Sequence, residues 1–350
     1  MEAIERRHQA ESRTRQSAAG LLTAAAIWRT SVWSLAPECG AACWWMIPLC
    51  AVPGVLMALV ASAALKCSGV QTLPEAFRKM LGRRGASLWK ATLALLLLAE
   101  ALMMMTALIT FFTRGIGTQG TPLTLALLSG GVLIACMHRD GLPRGIFLVR
   151  WVLVGAGLIA AVDALLMARW DHIFPIGGEG TEVNMTALLS GSGMAWPLTL
   201  FHQEQRRHLT KSALPLTLAA GVVFPVALLL MFPHEWLLNL QNAPENFTAI
   251  IRHLHPGVHT LCQCLWMLML FLGCGVSLHH VSELADGENR FPWLPWLLVA
   301  VTSASQAADA CALVAVLRPM IVFGWMIPAF LLLILLLVSF FKRERGRNGG

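Results

Sequence analysis

The chain has 350 residues, of which 57% are hydrophobic and only 13% charged. A soluble domain carries about a quarter of its residues as Asp, Glu, Lys and Arg, so composition excludes an ordinary water-soluble enzyme or binding module. The net charge of +7 does not point to nucleic acid, because no basic soluble domain is present to carry that role.

Ten apolar runs follow one another, at 17–36, 41–65, 88–113, 121–138, 144–168, 186–203, 212–232, 257–281, 294–317 and 319–341. Most approach or exceed the ~20 residues that cross a bilayer. Residues 1–16 are polar and hold Arg6, Arg7, Arg13 and Arg15. With Trp28 and Arg29 inside the first run and no cleavage site, that run reads as a retained span, not a signal peptide. Of the 26 Lys and Arg, 21 lie at the two ends or in every second gap. The alternate gaps hold only Arg114, Arg169, Arg252 and Arg318, and Arg29 alone falls in the middle of a span, with Lys90, Arg144 and Arg150 counted with the gaps their span ends adjoin. Basic residues concentrate on the cytoplasmic side, so both termini are expected to be cytoplasmic, with an even number of spans between them.

The expected fold is therefore an all-α integral membrane protein of ten transmembrane helices. Its parts are a cytoplasmic tail (1–16), a first five-helix repeat (17–168), an extracytoplasmic loop (169–185), a second five-helix repeat (186–341) and a basic cytoplasmic tail (342–350). Five is odd, so the second block begins on the opposite side and the repeat is inverted. Tyr is absent and Trp numbers 13, which leaves Trp44, Trp45, Trp170, Trp293 and Trp296 to anchor span ends. The nine Cys form no CxxC or disulfide framework; most lie within spans, where Cys serves as a small apolar residue.

The first spans of the two halves share an irregularity. Span 1 reads Trp28-Arg29-Thr30-Ser31, a charge followed by two hydroxyls. Span 6 reads Ser190-Gly191-Ser192-Gly193, then Pro197. Two Gly and two Ser weaken a helix, and Pro197 removes a backbone donor. Paired interruptions in corresponding helices mark the binding site of inverted-repeat transporters. The competing reading of Ser190–Gly193 is close helix packing through small residues.

Arg29 is the costliest residue to place, at about 2.5–3.5 kcal/mol for a charge at the centre of a span. Glu100 lies at matching depth in span 3, and pairing offsets part of both desolvation costs. The two are expected to face one cavity and hold a ligand, the Arg suiting a carboxylate and the Glu an amine; a purely structural ion pair, or a neutral Glu100 bonded to a neighbouring helix, is the alternative. Candidate ligand-binding residues are thus Arg29, Thr30, Ser31, Glu100, Ser190, Gly191, Ser192 and Gly193.

Other polar groups read more plainly. Asp163 and Asp309 lie in the outer halves of spans 5 and 9, where they line a vestibule or carry a proton or cation. His253, His255 and His259 have metal-compatible spacing but no partner cluster, and His279 and His280 suit a helix C-terminus. Thr72, Pro74, Glu75 and Gly82 carry the start and stop signals of a short helix. No catalytic triad, P-loop, HExxH or dinucleotide motif occurs in a suitable context, so neither an enzyme nor a metal or other cofactor is expected.

Three stretches carry a resemblance. They are Trp44 opening span 2; Thr72-Leu73-Pro74-Glu75-Ala76-Phe77 followed by Leu81-Gly82; and Asp171-His172-Ile173-Phe174-Pro175-Ile176-Gly177-Gly178-Glu179-Gly180 running into Leu188-Leu189-Ser190-Gly191. In this order the chain resembles the spore germination permease family, the B-type membrane subunit of bacterial germinant receptors, related to amino acid–polyamine–organocation transporters. The likeness covers most of the chain to about residue 205 and rests on span layout beyond it. Arg29 falls outside the pattern. The resemblance implies a sensor of a small germinant, an amino acid or nucleoside, in the spore inner membrane. Its implied partners are membrane lipid, an A-type membrane subunit and a C-type lipoprotein. The implied ligand site lies between spans 1 and 6, backed by spans 3 and 8. A secondary amino-acid transporter coupled to protons or cations is the alternative that the same fold allows.

Overall fold

The computed structural model describes residues 17–70, 72–115, 126, 129–130, 141–178, 181–200, 213–240, 243–284, 293–308 and 310–348. Predicted span 4 falls almost wholly outside them, as does Asp309. Among the described residues the secondary structure is all helical. Five continuous helical stretches are long and apolar enough to cross a membrane: Ser17–Ser68, Leu73–Thr113, Arg144–Met167, Pro256–Leu284 and Ala312–Lys342. Leu148, Val152 and Leu166 stand 76%, 64% and 80% exposed on one of them. An apolar surface of that kind is not left to water, and the chain is a membrane-embedded protein.

The first stretch holds two predicted spans. Helix α1 (17–30) passes into a wider π-helical turn, Ser31–Leu35, and a short helix Ala36–Cys39. Gly40, at φ 47°, turns the chain, and α2 (Cys43–Ser68) runs back. A Cβ at Gly191 would meet both Leu35 and Cys50, each at 2.8 Å. A straight helix would separate those two by about 22 Å, so the reversal is real. The interruption expected near Arg29–Ser31 is therefore a π-turn that begins at Ser31, not an unwound segment. Ser31 turns its hydroxyl back onto the Ile27 carbonyl at 2.7 Å, and the helix stays wound through Arg29.

Helix α3 (Leu73–Thr110) begins as the predicted short helix. Thr72 accepts the Glu75 amide at 3.4 Å, Pro74 sits in the first turn, and Gly82 bends the chain sharply at φ 76°, ψ −174°. The backbone at Gly82 is one that essentially only glycine adopts. Phe77, on the apolar side of the short helix, stacks on Trp89 beyond the bend, with ring centroids 4.7 Å apart.

Next come α4 (Gly141–Met167), α5 (Thr181–Gly191), α6 (Ala213–Leu229), α7 (Ala243–Ile251) and α8 (Pro256–Leu284). Helix α8 packs along α3, and α4 packs on α6 and α8. Trp28 is the hub of this layer: it lies fully buried, with its ring centroid 4.5 Å from that of Phe224, 5.1 Å from Trp266 and 5.4 Å from Phe247. One indole thus ties α1 to α6, α7 and α8 through edge and tilted ring contacts.

The last part departs from the sequence reading. The expected spans 294–317 and 319–341 place Arg318 in a gap. The structure instead forms α9 (Leu294–Ala308), α10 (Ala310–Gly324) and α11 (Met326–Asn348). Arg318 therefore lies inside a helix. The charge pattern marks Arg318 as a loop residue because hydropathy registers its charge and not its partner.

Close approach between elements relies on small residues. A Cβ at Gly54 of α2 would lie 2.3 Å from the Ala195 carbonyl carbon and 2.6 Å from the Trp196 nitrogen. Both are backbone atoms and cannot step aside. Gly54→Leu is expected to destabilise the protein by at least the ~1–3 kcal/mol of an overpacked core. The check is monodisperse yield and thermal midpoint in detergent, with Gly155→Ala, where added bulk meets open space, as the control.

Candidate functional site

The site forms where α1, α3, α5 and α10 meet. The Arg29 Nη2 donates to Glu100 Oε2 at 2.7 Å, with side chains 5% and 1% exposed. The pair expected from matched depth is thus present and fully shielded. Arg29 also places its guanidinium carbon 5.9 Å from the centre of the Trp33 ring, within cation–π range. Breaking such a pair by removing one partner leaves an uncompensated buried charge, worth roughly 3–5 kcal/mol.

Across the site the chain breaks where it is expected to. Helix α5 ends at Gly191, and Gly193 adopts φ 76°. Trp196 donates to the Gly193 carbonyl at 2.7 Å and Leu198 to the Ala195 carbonyl at 3.1 Å, winding Trp196–Leu200 as a tight 3₁₀ turn. A Cβ at Gly193 would sit 2.2 Å from the Trp325 ring. Glycine is thus required there twice, by its backbone and by the indole against it.

A cavity of about 20 Å³ opens between these parts, lined by Arg29, Thr30, Glu100, Ser190, Ser192 and Gly193 among others. Six of the eight predicted site residues therefore share one cavity. Ser31 and Gly191 do not line it. Ser31 is bonded within its own helix, and Gly191 packs against Leu35 and Cys50. For Gly191 the close-packing reading holds. The volume suffices for about one water and no more.

Sequence reasoning missed two charged members. Arg318 lines the same cavity and its Nη2 pairs with Glu38 Oε1. The other Glu38 oxygen accepts the Ser190 hydroxyl, whose oxygen also lies 3.0 Å from the Ala187 carbonyl. The two ion pairs differ in burial. Arg318 and Glu38 are 38% and 19% exposed, so this pair is less shielded than the inner one. The site is also rich in donors. Arg29 Nε, Trp33 Nε1, Trp196 Nε1 and Trp325 Nε1 are buried without a protein acceptor, a costly condition for N–H groups.

The remaining candidates find ordinary partners. Asp163 accepts the His255 amide at 3.2 Å, just before α8 begins. His253 packs edge-on against Phe232, with centroids 5.1 Å apart, and His259 meets Gln263 at 3.3 Å. His280 lies 3.0 Å and His279 3.7 Å from Glu283. Among the described residues no group of three His, Cys, Asp or Glu has metal-binding geometry. A larger cavity, about 390 Å³, lies at the far end of the 3₁₀ turn, against Thr199 and Leu200. Arg78, Lys90, Glu75 and Glu283 around it include charges of both signs, and it holds none of the predicted site residues. Trp196 lines the small cavity, so the 3₁₀ turn separates the two.

Fold and site together define a class: an all-helical, membrane-embedded protein with a buried ion pair beside a broken helix. No protein-family profile matches the chain, and a search of the curated proteins finds no match either.

Because Glu100 neutralises Arg29 where neither is solvated, single and double substitutions are expected to differ in sign of coupling. Glu100→Met and Arg29→Met should each lower stability by roughly 3–5 kcal/mol. The double variant Arg29→Met with Glu100→Met should recover most of that loss. Thermal midpoints of the four proteins in detergent check this; strictly additive losses would contradict a coupled pair.

Proposed function

We propose that this chain is a ten-span membrane subunit of a spore germinant receptor, with both termini cytoplasmic. It binds a small nutrient, an amino acid or nucleoside, and passes the signal to an A-type membrane subunit and a C-type lipoprotein. The observation that carries the reading is the cavity between α1 and the broken end of α5, bounded by two ion pairs. Interrupted first helices in two inverted five-helix halves are the arrangement that builds a midplane binding site. The order of the resembling segments, from Trp44 through Thr72–Gly82 to Asp171–Gly191, supports assignment to the germination family.

The second reading is a secondary amino-acid transporter coupled to protons or cations. A coupled transporter needs an ionisable group free to take up its ion near the midplane. Among the described residues, Glu100 is engaged by Arg29 and Asp163 by the His255 amide. These engagements favour the receptor. A ligand-driven shift between conformations requires differential binding to them, and the less shielded outer pair offers a place for it.

Spores lacking this chain are expected to lose germination toward at least one amino acid or nucleoside while keeping their response to receptor-independent triggers. Optical density loss across a germinant panel measures this. Vesicles holding the chain alone should not accumulate labelled amino acid; accumulation driven by a proton or cation gradient would favour the transporter.

A further inference from the structure

Glu38 is held as a ligand would be held. Its carboxylate has both oxygens engaged, one by the Arg318 guanidinium and the other by the Ser190 hydroxyl. Arg318 and Ser190 line the small cavity. Glu38 itself comes from the short helix Ala36–Cys39 at the turn before α2, outside the ligand-site elements that the sequence marks.

We propose that Glu38 is a built-in competitor for the carboxylate of the ligand, and that Arg318 with Ser190 forms the carboxylate receptor. This rests on the reading of the cavity as a ligand site. Four observations converge on it. Arg29 is already balanced by Glu100 and shielded, so its charge is not available without breaking the inner pair. Arg318 and Glu38 are the less shielded pair, at 38% and 19% exposed against 5% and 1% for Arg29 and Glu100. The cavity, at about 20 Å³, is too small for a nutrient as it stands, and Glu38 holds two of its lining residues, Arg318 and Ser190. The buried Arg29 Nε and the indole nitrogens of Trp196 and Trp325, all belonging to lining residues, are donors in want of acceptors.

A carboxylate brings acceptors only, and it replaces Glu38 on Arg318 charge for charge. The ligand class is therefore a small carboxylate-bearing molecule such as an amino acid. A nucleoside, which has no carboxylate, gains nothing from displacing Glu38. Swinging Glu38 out moves the turn between α1 and α2, which couples occupancy to the position of both helices.

The experiment uses the full chain purified in detergent and thermal protection as readout. The probes are acetate, glycine and L-alanine, with acetamide and glycinamide as uncharged counterparts and adenosine as the nucleoside. Glu38→Gln is expected to lower the half-protecting concentration of the carboxylates at least tenfold. Glu38→Asp, a methylene too short to reach both partners, should lower it by less. Arg318→Gln should abolish protection with or without Glu38→Gln, and the amides should not protect. Equal half-protecting concentrations in wild type, Glu38→Gln and Glu38→Asp would overturn the competitor, as would equal protection by the amides. Protection by adenosine alone would overturn the carboxylate class and leave the ligand site standing. No protection by any probe in any variant would overturn both.

Discussion

The Arg29–Glu100 ion pair constrains everything around it. Two charges taken out of water cost several kcal/mol each even after relaxation, and they are tolerable only at hydrogen-bond distance. The 2.7 Å contact therefore fixes the depth and rotation of α1 against α3. Trp28, one residue before Arg29, is fixed on the opposite course, into a cluster of Phe224, Phe247 and Trp266. Consecutive residues on α1 thus serve two purposes. One side chain locks the helix into the apolar layer of α6, α7 and α8, and the next holds a charge at the edge of a cavity.

The π-turn at Ser31–Leu35 follows from the same geometry. A widened turn shifts the residues after it around the helix axis without ending the helix, and such turns occur often at functional sites. Past it, Glu38 reaches Arg318 and Ser190. The chain after α5 uses a different device. Gly193 and the 3₁₀ turn after it stop the helix outright, and Trp325 closes against the glycine that has no side chain to keep it away. Helices α1 and α5 are both irregular, yet one is widened by a π-turn and the other is broken.

Two ion pairs of unequal burial flank the cavity. The inner pair is shielded and held by two helices; the outer pair is less shielded. The unpartnered donors between them make the site electropositive in character although its two carboxylates formally balance its two guanidinium groups. A binding step that exchanges one carboxylate for another leaves the net charge unchanged, which avoids the cost of burying a new one.

Much of this was written in the sequence. Low charge content and long apolar runs specify membrane helices, because backbone polar groups in lipid must be satisfied internally. Thr72, Pro74 and Gly82 specify a capped helix and its end through local chemistry. Arg29 and Glu100 were legible as partners, since a lone charge at that depth has no other affordable state. The break after Gly191 was legible because Gly and Pro act on their own backbone. What only the tertiary structure decided concerns contacts between distant segments. Periodicity says nothing about whether Ser31 bonds backward along its helix or outward into a cavity, and it cannot separate Gly191, which packs on Cys50, from Gly193, which meets Trp325. Arg318 counts as a loop charge in any hydropathy reading. Its place in α10 depends on Glu38, 280 positions earlier, because a charge can enter an apolar helix once a partner stands beside it, and the partner's position is a property of the fold.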